Sequence, residues 1–260
     1  MNRIVQTFPQ RSMAELDFEM LSEYFDRIYV INLPHRTDRR KEMEAQFRRI
    51  GHESGDGKTI FFPAIRPSDA GDFPTIGARG CFMSHLEILR DIQKSDGVRH
   101  ALILEDDCNF RKNINTVLDE ARLAFDAIGQ GLFYGGALNE VANIHEKTNS
   151  LRVVSSLSGI MGSHCIGIDN KTAGELVEYF EKILKRPAGD SAGGPMHVDG
   201  AYSWFRKDHP GIETWLAVPE CVYQRSSATD VHPPNSLNKF VAIRWFVSKV
   251  RKIKNEIRRN

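Results

Sequence analysis

Ala101-Leu102-Ile103-Leu104-Glu105-Asp106-Asp107 runs four apolar residues straight into three carboxylates. A short apolar run bounded by polar residues reads as a buried strand, with the acids at its carboxyl end. In open α/β sheets ligands bind at that edge. Three adjacent like charges repel, so solvent or a cation must offset them. A divalent ion holding a phosphorylated substrate is the functional reading; the other is an acidic turn after an ordinary strand.

Upstream, Arg27-Ile28-Tyr29-Val30-Ile31-Asn32-Leu33 is rich in β-branched and aromatic residues and predicts a first strand ended by Pro34. Thr37 or Asp38 is placed to cap a helix running to about Ile50, with Met43, Phe47 and Ile50 on one stripe and Gly51 closing it. Thr59–Ile65 reads as a strand, Cys81–Gln93 as a helix, Ile114–Ile128 as a helix and Leu132–Tyr134 as a strand stopped by Gly135-Gly136. This alternation argues for a mostly parallel sheet with helices on its faces. The second half is less regular. It holds a strand over Ser163–Asp169, a helix over Ala173–Lys185, a Gly/Ser-rich loop over Pro187–Pro195, a short helix over Val198–Phe205 and one or two short strands in Trp215–Tyr223.

At 260 residues, 41% hydrophobic and 27% charged, the chain has the composition of a soluble globular protein with a sizeable core. Cys81, Cys108, Cys165 and Cys221 are far apart and form no C-x-x-C pair, so the spacing supports neither a zinc ribbon nor a disulfide framework; a reducing compartment is the simpler inference. Residues 1–25 read as an N-terminal extension without the apolar stretch of a signal peptide, and no segment approaches a bilayer-spanning run. No linker splits residues 1–238, which read as one domain. Residues 239–260 carry eight basic residues and one acid, +7, so that residues 1–238 carry −6 of the total +1.

A second strand end, Asn32-Leu33-Pro34-His35-Arg36-Thr37-Asp38-Arg39-Arg40, combines a helix start with Arg36, Arg39 and Arg40 and makes a seat for a diphosphate, unless the arginines simply face solvent. One basic and one acidic strand end are expected where a nucleotide and its metal share a crevice. Asp199, after the Gly-rich loop, could deprotonate a hydroxyl or serve as a helix cap; His232, ending a polar loop from Gln224, could ligate a metal or stay an exposed loop histidine. There is no nucleophile elbow, Walker loop or dinucleotide fingerprint, which removes the usual support for acyl or hydride transfer.

From about Asp26 to His232 the chain resembles glycosyltransferase family 25, the lipopolysaccharide-type and procollagen-type galactosyl- and glucosyltransferases. The resemblance rests on Ile28-Tyr29-Val30-Ile31-Asn32-Leu33 with Arg36 and Arg39-Arg40, on Gly77-Ala78-Arg79-Gly80-Cys81-Phe82-Met83-Ser84-His85-Leu86, and on Leu104-Glu105-Asp106-Asp107. Tyr134-Gly135-Gly136, Val198-Asp199 and the Gln224–Asp230 loop extend it. It implies a GT-A-like, nucleotide-binding α/β/α sandwich with an irregular acceptor-side half. It further implies inverting transfer of a hexose, galactose or glucose, from a UDP-sugar to a glycan hydroxyl in cell-surface polysaccharide or lipopolysaccharide synthesis. On this chain Asp107 would ligate Mn²⁺ or Mg²⁺, and Glu105 or Asp106 would steady the ribose or the same ion; Glu105 and, from its loop position, His232 are the further candidate ligands. Asn32, Leu33, Arg36, Arg39, Ser84, His85, Glu105 and Asp106 would line the donor, and Asp199 would be the general base. The motif is Glu-Asp-Asp and lacks the family's usual first Asp.

Ile243, Phe246, Val247, Val250, Ile253 and Ile257 fall on one helical stripe among the tail's basic residues. A basic amphipathic helix reads as a membrane-surface element, suited to a lipid-linked acceptor, or as a helix packed on the domain; nucleic acid is not implied. The expected location is cytoplasmic, peripheral on the inner face of the cytoplasmic membrane. Two other readings of the chain are a Mg²⁺-dependent phosphoryl- or nucleotidyl-transfer enzyme and a catalytically silent glycan- or nucleotide-binding relative.

Overall fold

The strands with continuous apolar sequence lie at the centre of one large sheet, because a strand covered on both faces needs apolar residues on both. The computed structural model describes residues 21–225. In chain order its elements are α1 (Leu21–Tyr24), β1 (Arg27–Asn32), α2 (Thr37–Arg49), β2 (Thr59–Pro63), α3 (Ile76–Lys94), β3 (His100–Glu105), β4 (Cys108–Phe110) and α4 (Ile114–Ile128). There follow β5 (Gly131–Tyr134), β6 (Ile144–Glu146), β7 (Leu151–Val154), β8 (Cys165–Asp169), α5 (Asn170–Leu184), α6 (Val198–Asp208), β9 (Glu213–Ala217) and β10 (Val222–Gln224).

Eight strands form the sheet in the order β2-β1-β3-β8-β5-β9-β7-β6, while β10 and β4 make a separate ribbon. β1 pairs in parallel with β2 and β3, and β5 with β9; β8 and β7 run against the other strands. Alternation along each strand sends side chains to two cores. Ile28, Val30, Leu102 and Leu104 meet Met43 and Phe47 of α2 and Val117, Leu118 and Phe125 of α4. Tyr29, Ile31, Ala101 and Ile103 meet Phe82, Leu86 and Leu89 of α3, Phe180 of α5 and Tyr202 of α6. This is the expected α/β/α sandwich. The second half, with the strands expected over Ser163–Asp169 and Trp215–Tyr223, supplies β7, β8 and β9 to the same sheet, and its irregularity lies in the connecting loops.

Three further expectations change. Arg36 holds the N-cap position of α2 without a side-chain cap bond, so Thr37 and Asp38 are its first helical residues. Helix α3 begins at Ile76, five residues before the expected start, because Thr75 caps it by accepting from the Ala78 N–H at 3.0 Å. Residues 21–25 carry buried Leu21, Tyr24 and Phe25, so the core takes in the end of the stretch read as an extension. Residues 226–260, and with them His232 and the basic stripe, lie outside the described residues.

Gly135 and Gly136 decide how the β4–β10 ribbon docks. The Gly135 carbonyl accepts from the Cys221 and Val222 N–H groups at 2.9 and 3.0 Å. A Cβ on Gly136 would stand 2.3 Å from the Val222 carbonyl oxygen, closer than any side chain tolerates. Backbone meets backbone here, and the contact sets where Gln224 and the residue after it arrive. Gly136→Ala is therefore expected to destabilise the protein by about 1–3 kcal/mol through overpacking, read by denaturant unfolding; unchanged stability would contradict this packing.

Candidate active site

The carboxyl end of β3 gathers the acids. Asp106 and Asp107 occupy the turn between β3 and β4, and both are buried, at 6% and 5% exposure. Burying carboxylates demands compensation. Asp106 receives it in full: Arg39 Nη1 donates to Oδ1 at 2.7 Å and Asn32 Nδ2 to Oδ2 at 2.7 Å. The same Arg39 nitrogen lies 3.6 Å from Asp107. Gln224 Nε2 donates to Asp107 Oδ2 at 3.2 Å, and the Arg225 N–H donates to the Asp107 carbonyl at 2.7 Å. Arg225 Nη2 donates to the Asp106 carbonyl at 2.9 Å and pairs with Glu42 at 3.1 Å.

Asp107 Oδ1 is buried and has no hydrogen-bond partner. Burial, together with the neighbouring Asp106 charge, raises the Asp107 pKa even though Arg39 lowers it. Glu105 is half-buried, and its Oε1 accepts from Ser163 Oγ at 2.7 Å. Burial and the charges of Asp107, Asp106 and Asp199 push the Glu105 carboxyl up to about 8. The unpartnered Asp107 oxygen and the crowded Glu105 carboxyl offer hard oxygen donors, of the kind that suit Mn²⁺ or Mg²⁺. Asp107 and Glu105 fit the expected metal.

Asp199, 92 residues beyond Asp107 in the chain, is brought into electrostatic range of Glu105. It lies in the first turn of α6, where the helix dipole favours a carboxylate. Its Oδ2 accepts from the Gly162 N–H at 3.0 Å and its Oδ1 from its neighbour Gly200 at 2.8 Å. The chain on either side of Gly162 and Ser163 therefore touches both Asp199 and Glu105.

Other expected donor residues are placed differently. Ser84 is fully buried, donating to the Gly80 carbonyl at 2.7 Å and accepting from the Ile65 N–H at 2.8 Å. Its hydroxyl ties α3 to the chain after β2. His85 is also fully buried, with Nδ1 3.1 Å from the Tyr202 hydroxyl; burial lowers its pKa to about 3 and keeps the ring neutral. Arg36 pairs with Asp38 at 2.8 Å and holds that carboxyl down at about 2. Arg40 lies over the Phe61 ring and pairs with Glu44, away from the acids. Leu33 is half-buried in the turn after β1, its carbonyl accepting from Arg36 N–H at 2.8 Å. The basic strand end is thus less a free diphosphate seat than a clamp, with Arg39 and Asn32 gripping the acids.

Cys81, Ser163, Gln224 and Arg225 were not among the expected site residues. Gln224 and Arg225 stand in a stretch of family-like sequence, but only the β4–β10 pairing, Gln224 opposite Cys108, delivers them. Ser163 carries no sequence signal for this role.

The fold is an α/β/α sandwich with buried acids at the carboxyl end of β3, and sequence comparison places the chain in a family. Residues 25–192 match the profile of glycosyltransferase family 25 (LPS biosynthesis protein), and the chain belongs to that family. A glycosyltransferase 25 family member of Drosophila melanogaster is 34% identical over 119 residues, covering 38% of this chain and 19% of that protein. Procollagen galactosyltransferase 1-B of Xenopus laevis is 27% identical over 122 residues, covering 38% of this chain and 20% of that protein. A probable inactive glycosyltransferase 25 family member 3 of Rattus norvegicus is 28% identical over 132 residues, covering 41% of this chain and 23% of that protein. The matched segments thus span about a fifth of these relatives. Asp199, Gln224 and Arg225 lie beyond the segment that the profile matches.

Two predictions separate the roles of the acids. Asp106→Ala takes from buried Arg39 its 2.7 Å carboxylate partner, leaving Asp107 at 3.6 Å, and is expected to cost about 1–3 kcal/mol of stability. Asp107→Asn relieves repulsion and is expected to cost less than 1 kcal/mol; denaturant titration of both variants without metal checks the contrast. Glu105 binds its proton more tightly folded than unfolded, so its contribution to stability is full below pH 4.5 and is lost as the pH rises towards 8. Glu105→Gln cannot titrate. In chelator, its stability relative to the unmodified protein should therefore improve on the order of 1 kcal/mol per pH unit across that window. Excess Mn²⁺ should narrow the gap, and a gap independent of pH would refute the crowding of Glu105.

Proposed function

We propose that this protein is an inverting, divalent-metal-dependent glycosyltransferase that moves a hexose, galactose or glucose, from a UDP-sugar to a glycan hydroxyl in cell-surface polysaccharide or lipopolysaccharide synthesis. Family membership supports glycosyl transfer. Galactose is favoured by the procollagen galactosyltransferase among its relatives. The observation that carries the metal and mechanistic reading is the meeting of the unpartnered Asp107 oxygen and crowded Glu105 with Asp199, held by the chain around Gly162 and Ser163.

Asp107 and Glu105 would hold the ion, whose chemistry is to neutralise negative charge gathering on the diphosphate leaving group. Asn32, Arg39 and Asp106 form a rigid base beneath those ligands, so that little reorganisation is needed as charge develops. Asp199 acts as general base. The acceptor oxygen bonds to the anomeric carbon as the bond from that carbon to the diphosphate oxygen breaks. The bonding electrons leave with UDP, and the acceptor hydroxyl proton passes to Asp199. Inversion follows when base and leaving group stand on opposite faces of the sugar. The Gly162 N–H bond leaves Asp199 little freedom to turn away. A cytoplasmic site at the inner membrane face, with residues 239–260 lying against anionic lipid and a lipid-linked acceptor, completes the proposal.

The deciding experiment is a panel of UDP-sugars with Mn²⁺, following released UDP, alongside calorimetry. Turnover should be confined to UDP-galactose or UDP-glucose. Asp199→Asn should lower kcat by about 10²–10⁴ while UDP affinity stays unchanged, and Asp107→Ala should abolish Mn²⁺-dependent UDP binding. Tight ATP binding without preference for UDP would favour phosphoryl transfer instead. Mn²⁺-dependent UDP binding without turnover of any UDP-sugar would place the chain with relatives described as inactive.

A further inference from the structure

Beside Glu105 stand two ligand side chains that glycosyl transfer does not use, Cys81 and His85. Cys81 and His85 are four residues apart on α3, so one helical turn brings them to the same face. The Cys81 thiol, a His85 ring nitrogen and a Glu105 carboxylate oxygen all lie within 4.8 Å of one another. His85 Nε2 is buried and has no hydrogen-bond partner, while Nδ1 is oriented by the Tyr202 hydroxyl. A neutral imidazole whose second nitrogen is held by a neighbour is how ligand histidines are commonly prepared. Cys81 and Glu105 are half-buried, leaving an approach for an ion.

We infer that Cys81, His85 and Glu105 form a binding site for a zinc-class divalent cation, distinct from the oxygen-lined seat at Asp107. The donor set decides the metal. One sulfur, one nitrogen and one oxygen suit zinc or cobalt and suit manganese or magnesium poorly. Around a tetrahedral zinc ion with bonds of about 2.0–2.3 Å, ligand atoms stand roughly 3.3–3.8 Å apart, so closing the site takes a contraction of about an ångström. Three protein ligands leave a fourth position open. Asp199 lies within electrostatic reach of both Cys81 and Glu105, and Ser163, which donates to Glu105 at 2.7 Å, stands near Cys81. Glu105 is common to the two seats, so an ion at one changes the ligands left to the other. The inference stands apart from the donor proposed above, since it concerns metal alone.

The test uses metal-stripped full-length protein titrated with Co²⁺. A near-ultraviolet thiolate-to-cobalt band and intense visible bands of a four-coordinate ion are expected, both bleached by Zn²⁺. Cys81→Ser should remove the thiolate band. In competition with a chromogenic chelator, Cys81→Ser and His85→Gln should each weaken zinc binding by about 10- to 100-fold, and Asp107→Asn should leave the cobalt spectrum intact. Zinc should also protect Cys81 from alkylation in the unmutated protein, read by peptide mass, which keeps the test open if Cys81→Ser does not fold. Cobalt binding without a thiolate band, a band that persists in folded Cys81→Ser, or alkylation of Cys81 unaffected by zinc would overturn the inference.

Discussion

One guanidinium holds the candidate site together. Arg39, on α2, reaches a buried turn at the end of β3 and stands between Asp106 and Asp107. Without it two adjacent carboxylates would be buried beside Glu105 with only Arg225, which bonds to their backbone carbonyls, as a nearby cation. The arrangement also joins elements: α2 supplies the arginine, β1 supplies Asn32, and the turn after β3 supplies Asp106 and Asp107. Asp106 is satisfied on both oxygens, while Asp107 keeps one oxygen without a partner. That asymmetry divides the labour, with Asp106 structural and Asp107 left with capacity for a ligand. Buried ion pairs of this kind add little net stability but are costly to break.

The Gly80-Cys81-Phe82-Met83-Ser84-His85 stretch shows how one helix turn serves several purposes. A Cβ on Gly80 would meet the Ile65 carbonyl oxygen at 2.6 Å, so its absence lets α3 lie against the chain after β2. Ser84 fastens the same contact through the Ile65 N–H. Phe82 stacks on Phe180 of α5 with centroids 4.6 Å apart and fixes the helix on the sheet. Cys81 and His85 turn the other way, towards Glu105. Adjacent residues on a helix point about 100° apart, which is why Ser84 and His85, expected together near the donor, have different surroundings.

The central strands were legible because two-sided burial writes a continuous apolar run, and α2 because its stripe of Met43, Phe47 and Ile50 and the following Gly51 mark both its face and its end. Strands β4, β6 and β7, three or four residues each, were not: they are too short for periodicity to register, and pairing partners distant in sequence create them. The direction of β8 was equally hidden. A buried strand has the same composition whichever way it runs, and the Cys165–Asp169 run is antiparallel because of its connections.

By itself the sequence determined the two-sided burial of the sheet, the three acids at the end of β3 and the arginine-bearing strand end beside them. These follow from local polarity and from the strand ends both lying on one edge of a parallel pair. It also showed Asp199 as a candidate without saying what would face it. The tertiary structure alone decided that Arg39 serves the acids, that Gln224 and Arg225 close over them and that Asp199, Ser163, Cys81 and His85 converge on Glu105. Each of those contacts joins residues remote in sequence. Its energy depends on distance and burial, which residue order does not encode until the chain has packed.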